Sequence, residues 1–320
     1  MARFLLSVFN MGRPLRYMPR PCTTFEVTMR TIQSRFLLRP SEQVNDLILG
    51  ILGRALSLYP VMLHIAVVAS NHIHMIITTT SAKLLSDFMR HVNSNIAREL
   101  GRIYNWHEHF WGRRFTSLPI MDDEKLVERM HYLLSHGCKE NLVLRPADWP
   151  GVNCFEALVE GKTLEGTWYD RTREYEAGLA GQDVEEGQFA TRYEVPLTPL
   201  PFLADKTEEE QRAWYRELVE LIERQTRERL KKEGGRVLGK RKVLQQNPFH
   251  RPKKTKRSPA PACHCTGSER WKAFKDAYRE FVNLYREASR KLRQGYENVK
   301  FPENCFPPPL AYTGASLAPG

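Results

Sequence analysis

Asn71-His72-Ile73-His74-Met75 is the stretch of this 320-residue chain in which residue type and spacing most directly suggest chemistry. In an extended strand, residues i and i+2 point to the same face. His72 and His74 would therefore project side by side, and two neutral imidazoles so placed can share one divalent cation. The H-x-H spacing also arises by chance. Cys263-His264-Cys265 invites a metal reading too, but no second Cys/His cluster stands ready to complete a tetrahedral shell. Trp111, Arg113 and Arg114 form an aromatic–cationic group in which the guanidinium groups could grip phosphates while the ring stacks on a base. Packing would serve as well for the ring, with the arginines solvated.

The charge distribution adds a second kind of signal. From Lys231 to Arg257 there are eleven Lys/Arg against one acid, Glu233, a net of +10. The whole chain carries +11. Residues 151–200 run the other way, with ten acids and four bases. A basic block this dense suits a polyanion such as DNA through Lys240, Arg241, Lys242, Lys253, Lys254, Lys256 and Arg257. Its prolines also fit a solvated linker.

The elements that must hold these groups can be read from hydrophobic periodicity. Thr24 to Ile32 alternates and is rich in β-branched residues, so it reads as a strand. Ser41 is a plausible N-cap for a helix whose apolar positions run from Val44 to Tyr59, with Pro60 ending it. Val61 to Ala69 reads as a buried strand, Ser70-Asn71 as a turn, and His72 to Thr78 as its hairpin partner. A helix spans Ser81 to about Tyr104 with Leu85, Phe88, Met89, Val92 and Ile96 on one stripe. Arg114 to Ile120 is a short strand, and Asp122-Asp123 opens a helix through Leu134 that Gly137 terminates. The order β-α-β-β-α-β is the split arrangement of a ferredoxin-like α+β domain. The chain then divides into an N-terminal tail (1–20), this domain (21–152), an irregular acidic bridge (153–200) and a mainly helical extension (201–320). Two charged helices, Thr207 to Glu233 and Ser268 to Arg293, are expected to form a hairpin that presents the basic segment 231–257.

Composition excludes several classes. At 42% hydrophobic the chain can bury a core, so wholesale disorder is excluded. No apolar run approaches the length needed to span a bilayer, which argues against a membrane partner. Six cysteines without a C-x-x-C pair indicate neither a disulfide framework nor a zinc ribbon, so a reduced, cytoplasmic protein is expected.

The N-H-I-H strand, the Trp111-Gly112-Arg113-Arg114-Phe115 element, and the later Tyr132, Asn141-Leu142-Val143 and Pro146-to-Pro150 stretch together resemble the HUH single-tyrosine transposases, in particular the REP-associated tyrosine transposase branch. The resemblance covers about residues 14–152, and the C-terminal half resembles the extension of longer relatives. It implies that His72, His74 and a third polar ligand hold Mg²⁺ or Mn²⁺; Glu99 is a candidate for that ligand, equally readable as a surface carboxylate pairing with Arg98 or Arg102 on a helix. It also implies that a helix tyrosine attacks single-stranded or hairpin DNA and becomes joined to its 5′ end. DNA is the implied partner, and homodimer formation stays open. By the family's spacing the nucleophile falls at about Ile96, which carries none. Tyr104 is the nearest alternative, about 12 Å further along the helix, and Tyr132 matches a position read as structural. Strand cleavage and rejoining, or silent DNA binding without a nucleophile, both follow from that pattern.

Overall fold

The structure, a computed structural model, describes residues 15–185, 187–253 and 261–308. Lys254, Lys256 and Arg257 lie outside the described residues.

Four strands, β1 (Thr23–Arg30), β2 (Met62–Ala69), β3 (His72–Thr79) and β4 (Thr116–Ile120), form one sheet in the order β2-β3-β1-β4. Every neighbouring pair is antiparallel. This is the ferredoxin-like topology expected from the sequence. The crossover helices α1 (Glu42–Leu58) and α2 (Ala82–Tyr104) pack on each other over one face. Their N-caps are local and self-contained: the Ser41 and Ser81 hydroxyls accept from the Val44 and Leu84 amides. Helices α3 (Asp123–Leu134) and α4 (His136–Lys139) cover the opposite face, so β3 is buried on both sides along its whole length. Ser135 separates the two helices by a single residue. Gly137 permits α4 to sit down, because a Cβ there would stand 3.1 Å from the Trp149 ring and 2.9 Å from Val143. Trp149 in turn donates its indole N–H to the Val68 carbonyl of β2.

The acidic stretch after residue 152 is not irregular. It contains a π-helical turn, a hairpin of β5 (Glu165–Tyr169) and β6 (Ala190–Glu194), and α5 (Arg171–Leu179) between them. The hairpin lies on the outer side of α1 at backbone contact: a Cβ on Gly50 would fall 2.1 Å from the Thr167 carbonyl. The two long charged helices, α6 (Glu208–Glu233) and α8 (Ser268–Arg293), are present as expected but do not form the anticipated hairpin. Helix α6, started by a Thr207–Glu210 capping box, packs on α3 and the turns at 146–160. Helix α8 instead lays Phe274, Tyr278 and Phe281 around Tyr17. Between them, α7 (Lys240–Leu244) is pinned by the fully buried Val243.

Both sheet edges are closed by the C-terminal half. On β2, Val68 N–H donates to the Val152 carbonyl, Cys154 Sγ bridges both backbone groups of Ala66, and Thr198 N–H donates to Leu63. On β4, His264 forms a one-residue parallel bridge to Ile120. Unpaired edges invite intermolecular strand pairing, and this covering removes the invitation. Among the described residues no helix is long and apolar enough to cross a membrane.

Candidate metal centre and nucleophile

The register of the two central strands sets the site. Arg30 pairs with His72, Thr28 with His74 and Glu26 with Ile76, so Glu26, Thr28, Arg30, His72 and His74 share the face covered by α3 and α4. The predicted side-by-side placement of His72 and His74 is what the fold produces: their ring centroids are 4.8 Å apart.

A third imidazole joins them from across the interface. His136 of α4 lies 4.7 Å from His72 and 5.2 Å from His74 between ring centroids. One ligand atom from each of the three residues falls within 4.8 Å of the other two. Tyr132 stands four residues before His136 on the same helical face, its ring 5.7 Å from His74 and 5.8 Å from His136. Sequence reasoning missed His136 and set Tyr132 aside. The signal was a Tyr-x-x-x-His spacing, hidden because Gly137 was taken to end the helix before position 136.

The electrostatics suit a cation. His72 Nδ1 donates to Asn71 Oδ1 at 2.5 Å, and Asn71 is itself fixed by its amide donating to the Ser34 carbonyl. His74 Nδ1 donates to Glu26 Oε1 at 3.0 Å. With both Nδ1 protons committed, the Nε2 lone pairs of both rings are free to act as ligands. His136 Nδ1 is buried without a hydrogen-bond partner. Burial, reinforced by the neighbouring rings and Arg30, holds the His72 pKa well below the usual histidine value. Burial, then His74, Arg30 and Lys139, pushes His136 down to about 3. His72 and His136 are therefore poised neutral, which is the ligating state. An orphaned buried nitrogen and two pre-oriented imidazoles are a donor set that fits a divalent cation.

Behind His74 stands Glu26, a 4% exposed carboxylate gripped by Arg129 across both oxygens (2.9 and 2.7 Å). Burial pushes this carboxyl up, but His264, His74 and Arg129 outweigh it and hold it well below the usual range. Arg129 also stacks on the Tyr132 ring at 4.0 Å, with the Lys139 ammonium at 4.5 Å. Burial raises the Tyr132 pKa, so its phenol is protonated at neutral pH.

The other sequence candidates lie elsewhere. Glu99 is buried on α2, over the other face of the sheet, with both oxygens taken by Arg171 Nε (3.0 and 3.1 Å) and Nη2 (2.6 Å to Oε2). It is outside the histidine cluster, and the third donor the fold brings in is His136. Ile96 is wholly buried in the core on that same helix, not beside the histidines. Tyr104 ends α2 against Phe249, 6.1 Å between centroids. Trp111 donates its indole N–H to the Asn93 carbonyl and packs on Phe110. Arg113 and Arg114 are exposed, as are Lys240, Arg241, Lys242 and Lys253.

Residues 25–133 match the family profile described as Transposase IS200 like. Among solved structures, the chain is similar to a REP-associated tyrosine transposase bound to a REP hairpin, at 19% identity and a TM-score of 0.40, covering 47% of this chain and 86% of that one. It is also similar to a protein of Deinococcus radiodurans R1 assigned as a transposase, at 16% identity and a TM-score of 0.28, covering 38% of this chain and 93% of that one. No curated protein matches the chain.

Proposed function

We infer from residues 25–133, which belong to the IS200-like transposase family, that this chain is a DNA strand-transfer protein that cleaves and rejoins single-stranded or hairpin DNA through Tyr132. The observation that carries the reading is the convergence of Tyr132 with His72, His74 and His136 on one buried sheet face.

His72, His74 and His136 would hold the cation. Of Mg²⁺ and Mn²⁺, three nitrogen donors favour Mn²⁺, because Mg²⁺ prefers oxygen. A bound cation would draw charge from the oxygens of a scissile phosphate. Tyr132 Oη then forms a bond to phosphorus as the P–O3′ bond breaks. The electron pair leaves with the 3′ oxygen, which takes up a proton, while the phenolic proton is lost to water. The 5′ phosphate stays on the tyrosine, conserving the phosphodiester bond energy for rejoining. Arg129 and Lys139 flank the ring, and their charge favours the phenolate that must form. The alternative of a silent binder rested on the absence of a nucleophile at position 96. That ground is lost once the tyrosine is placed on α3 instead of α2.

The test is incubation of the full chain with a labelled single-stranded hairpin and Mn²⁺, followed by denaturing electrophoresis and mass spectrometry. A covalent adduct on Tyr132, lost in Tyr132→Phe and retained in Tyr104→Phe, is expected. An adduct on Tyr104, or none under any condition, would sink the assignment.

A further inference from the structure

Glu26 is a buried carboxylate enclosed by four nitrogens. Oε1 accepts from Arg129 Nη2 and His74 Nδ1. Oε2 makes two close ion-pair contacts that lie off hydrogen-bond geometry, to Arg129 Nε at 2.7 Å and to His264 Nε2 at 2.8 Å. That imidazole comes from the Cys263-His264-Cys265 triplet, 238 residues further along the chain and far outside the ferredoxin-like domain.

The triplet is held there by independent contacts. His264 N–H donates to the Pro119 carbonyl and its own carbonyl accepts from Met121 N–H, so the backbone is zipped onto the free edge of β4. Two residues on, Thr266 donates both its N–H (2.7 Å) and its hydroxyl (3.0 Å) to Asp122 Oδ2. Asp122 is also the N-cap of α3, its other oxygen accepting from Lys125 N–H. One carboxylate thus ties the triplet to the start of the helix that carries Tyr132. The Cys263 and Cys265 sulfurs lie beside each other, 3.6 Å apart, and neither reaches the three-histidine cluster.

We propose that His264 is a positioning residue of the metal centre, and that the C-terminal extension is therefore an integral part of the site. Resting on the metal reading above, the chain of contacts runs His264–Glu26–His74. His264 completes the shell of Glu26, and Glu26 holds the His74 Nδ1 proton and so leaves Nε2 to the cation. Without His264, Oε2 of a buried carboxylate loses one of its two nitrogen contacts. Glu26 then relaxes toward Arg129, and its hold on His74 weakens.

The experiment measures Mn²⁺ binding to the full chain by calorimetry, with long-range ¹H–¹⁵N spectra reporting the His74 tautomer in the metal-free protein. Outer-shell partners of ligating histidines typically govern about 10–100-fold in metal affinity. His264 acts one contact further out, so His264→Ala should weaken Mn²⁺ binding several-fold to about tenfold and blur the His74 tautomer. His264→Gln, whose amide N–H reaches about the same point as Nε2, should restore both. Should the alanine variant not fold, the glutamine variant and Thr266→Val, which loosens the anchor, carry the same two readouts. A folded His264→Ala chain with wild-type Mn²⁺ affinity and an unaltered His74 tautomer overturns the proposal alone. A wild-type chain that binds no Mn²⁺ overturns the metal reading, and the proposal with it.

Discussion

Glu99, the third donor considered from sequence, and His136, the one the fold brings to the histidine pair, differ in their surroundings. Glu99 is bonded by a guanidinium through both oxygens and lies over the other face of the sheet, outside the histidine cluster. His136 has a buried nitrogen with no partner. His136→Ala should therefore reduce Mn²⁺ affinity at least tenfold, measured by calorimetry, while leaving thermal stability close to wild type. Glu99→Ala should do the reverse. Breaking a fully buried ion pair costs about 3–5 kcal/mol. The Arg171 side chain is 20% exposed and keeps Glu174 as a second partner, so about 1–3 kcal/mol is expected here, with Mn²⁺ affinity unchanged. At this scale the sequence was legible where one element sufficed. His72 and His74 follow from the two-residue period of a single strand. His136 and Glu26 do not, because each becomes part of the site only through packing between elements far apart in the chain.

Elements were read well wherever caps and periodicity coincide, as in α1, α2 and α3. The β5–β6 hairpin was missed because its strands are short and half-exposed, and neither carries an alternating apolar pattern. The clue lay in α1 instead, whose buried positions include Gly50 and Gly53 alongside Val44, Leu47, Ile48, Ile51 and Leu52. A helix apolar on two sides must be covered on two sides, and glycines on its outer side require a backbone to approach. The second edge of the sheet carries a prediction of its own. His64 of β2 is buried, with Nδ1 donating to the Thr198 carbonyl (2.9 Å) and Nε2 2.8 Å from the Thr78 hydroxyl. Burial lowers its pKa, against the opposing pull of the Thr198 and Pro199 carbonyls. In the unfolded chain it titrates near about 6.5. Below that value the unfolded state takes up a proton the folded state does not, so stability falls as pH drops below about 6.5 and is fully present above it. One such group contributes a slope of at most about 1.4 kcal/mol per pH unit. His64→Gln should flatten urea-derived stability between about pH 5 and 6.5, whatever it does to the value at pH 8. His72 and His136 titrate with the same sign, so a residual slope is expected. An unchanged slope would mean that His64 is protonated in the fold.

For the molecule as a whole, the C-terminal half is wrapped around the ferredoxin-like domain, not appended to it, and this bears on the basic segment. Its described part is a strap. Leu238 and Gly239 donate to the Asn141 and Leu142 carbonyls just after α4, and Arg39 donates to the Leu244 carbonyl. Ser70 donates to Gln246 beside the turn that leads into His72, and Arg35 donates to the Phe249 carbonyl. Composition alone allowed either a linker or a polyanion contact. A linker has no need of a buried anchor such as Val243, nor of a path that runs from the helix carrying His136 to the strand carrying His72. With the strap fixed between the segment after α4 and the turn before β3, Lys240, Arg241 and Lys242 are held exposed. They would meet the phosphates that flank a scissile bond. Each phosphate contact neutralised on a single strand adds about 0.7 to the magnitude of the log-affinity against log-salt slope. The triple change of Lys240, Arg241 and Lys242 to alanine should therefore reduce that magnitude by up to about 2 and weaken hairpin binding most at low salt. Adduct formation at saturating DNA should persist, because Tyr132 and the three histidines are untouched. Fluorescence anisotropy across a salt series checks the slope. If slope and affinity are both unchanged, the strap serves only to hold the extension in place, and the phosphate contacts must come from elsewhere, with the exposed Arg113 and Arg114 the next to be changed.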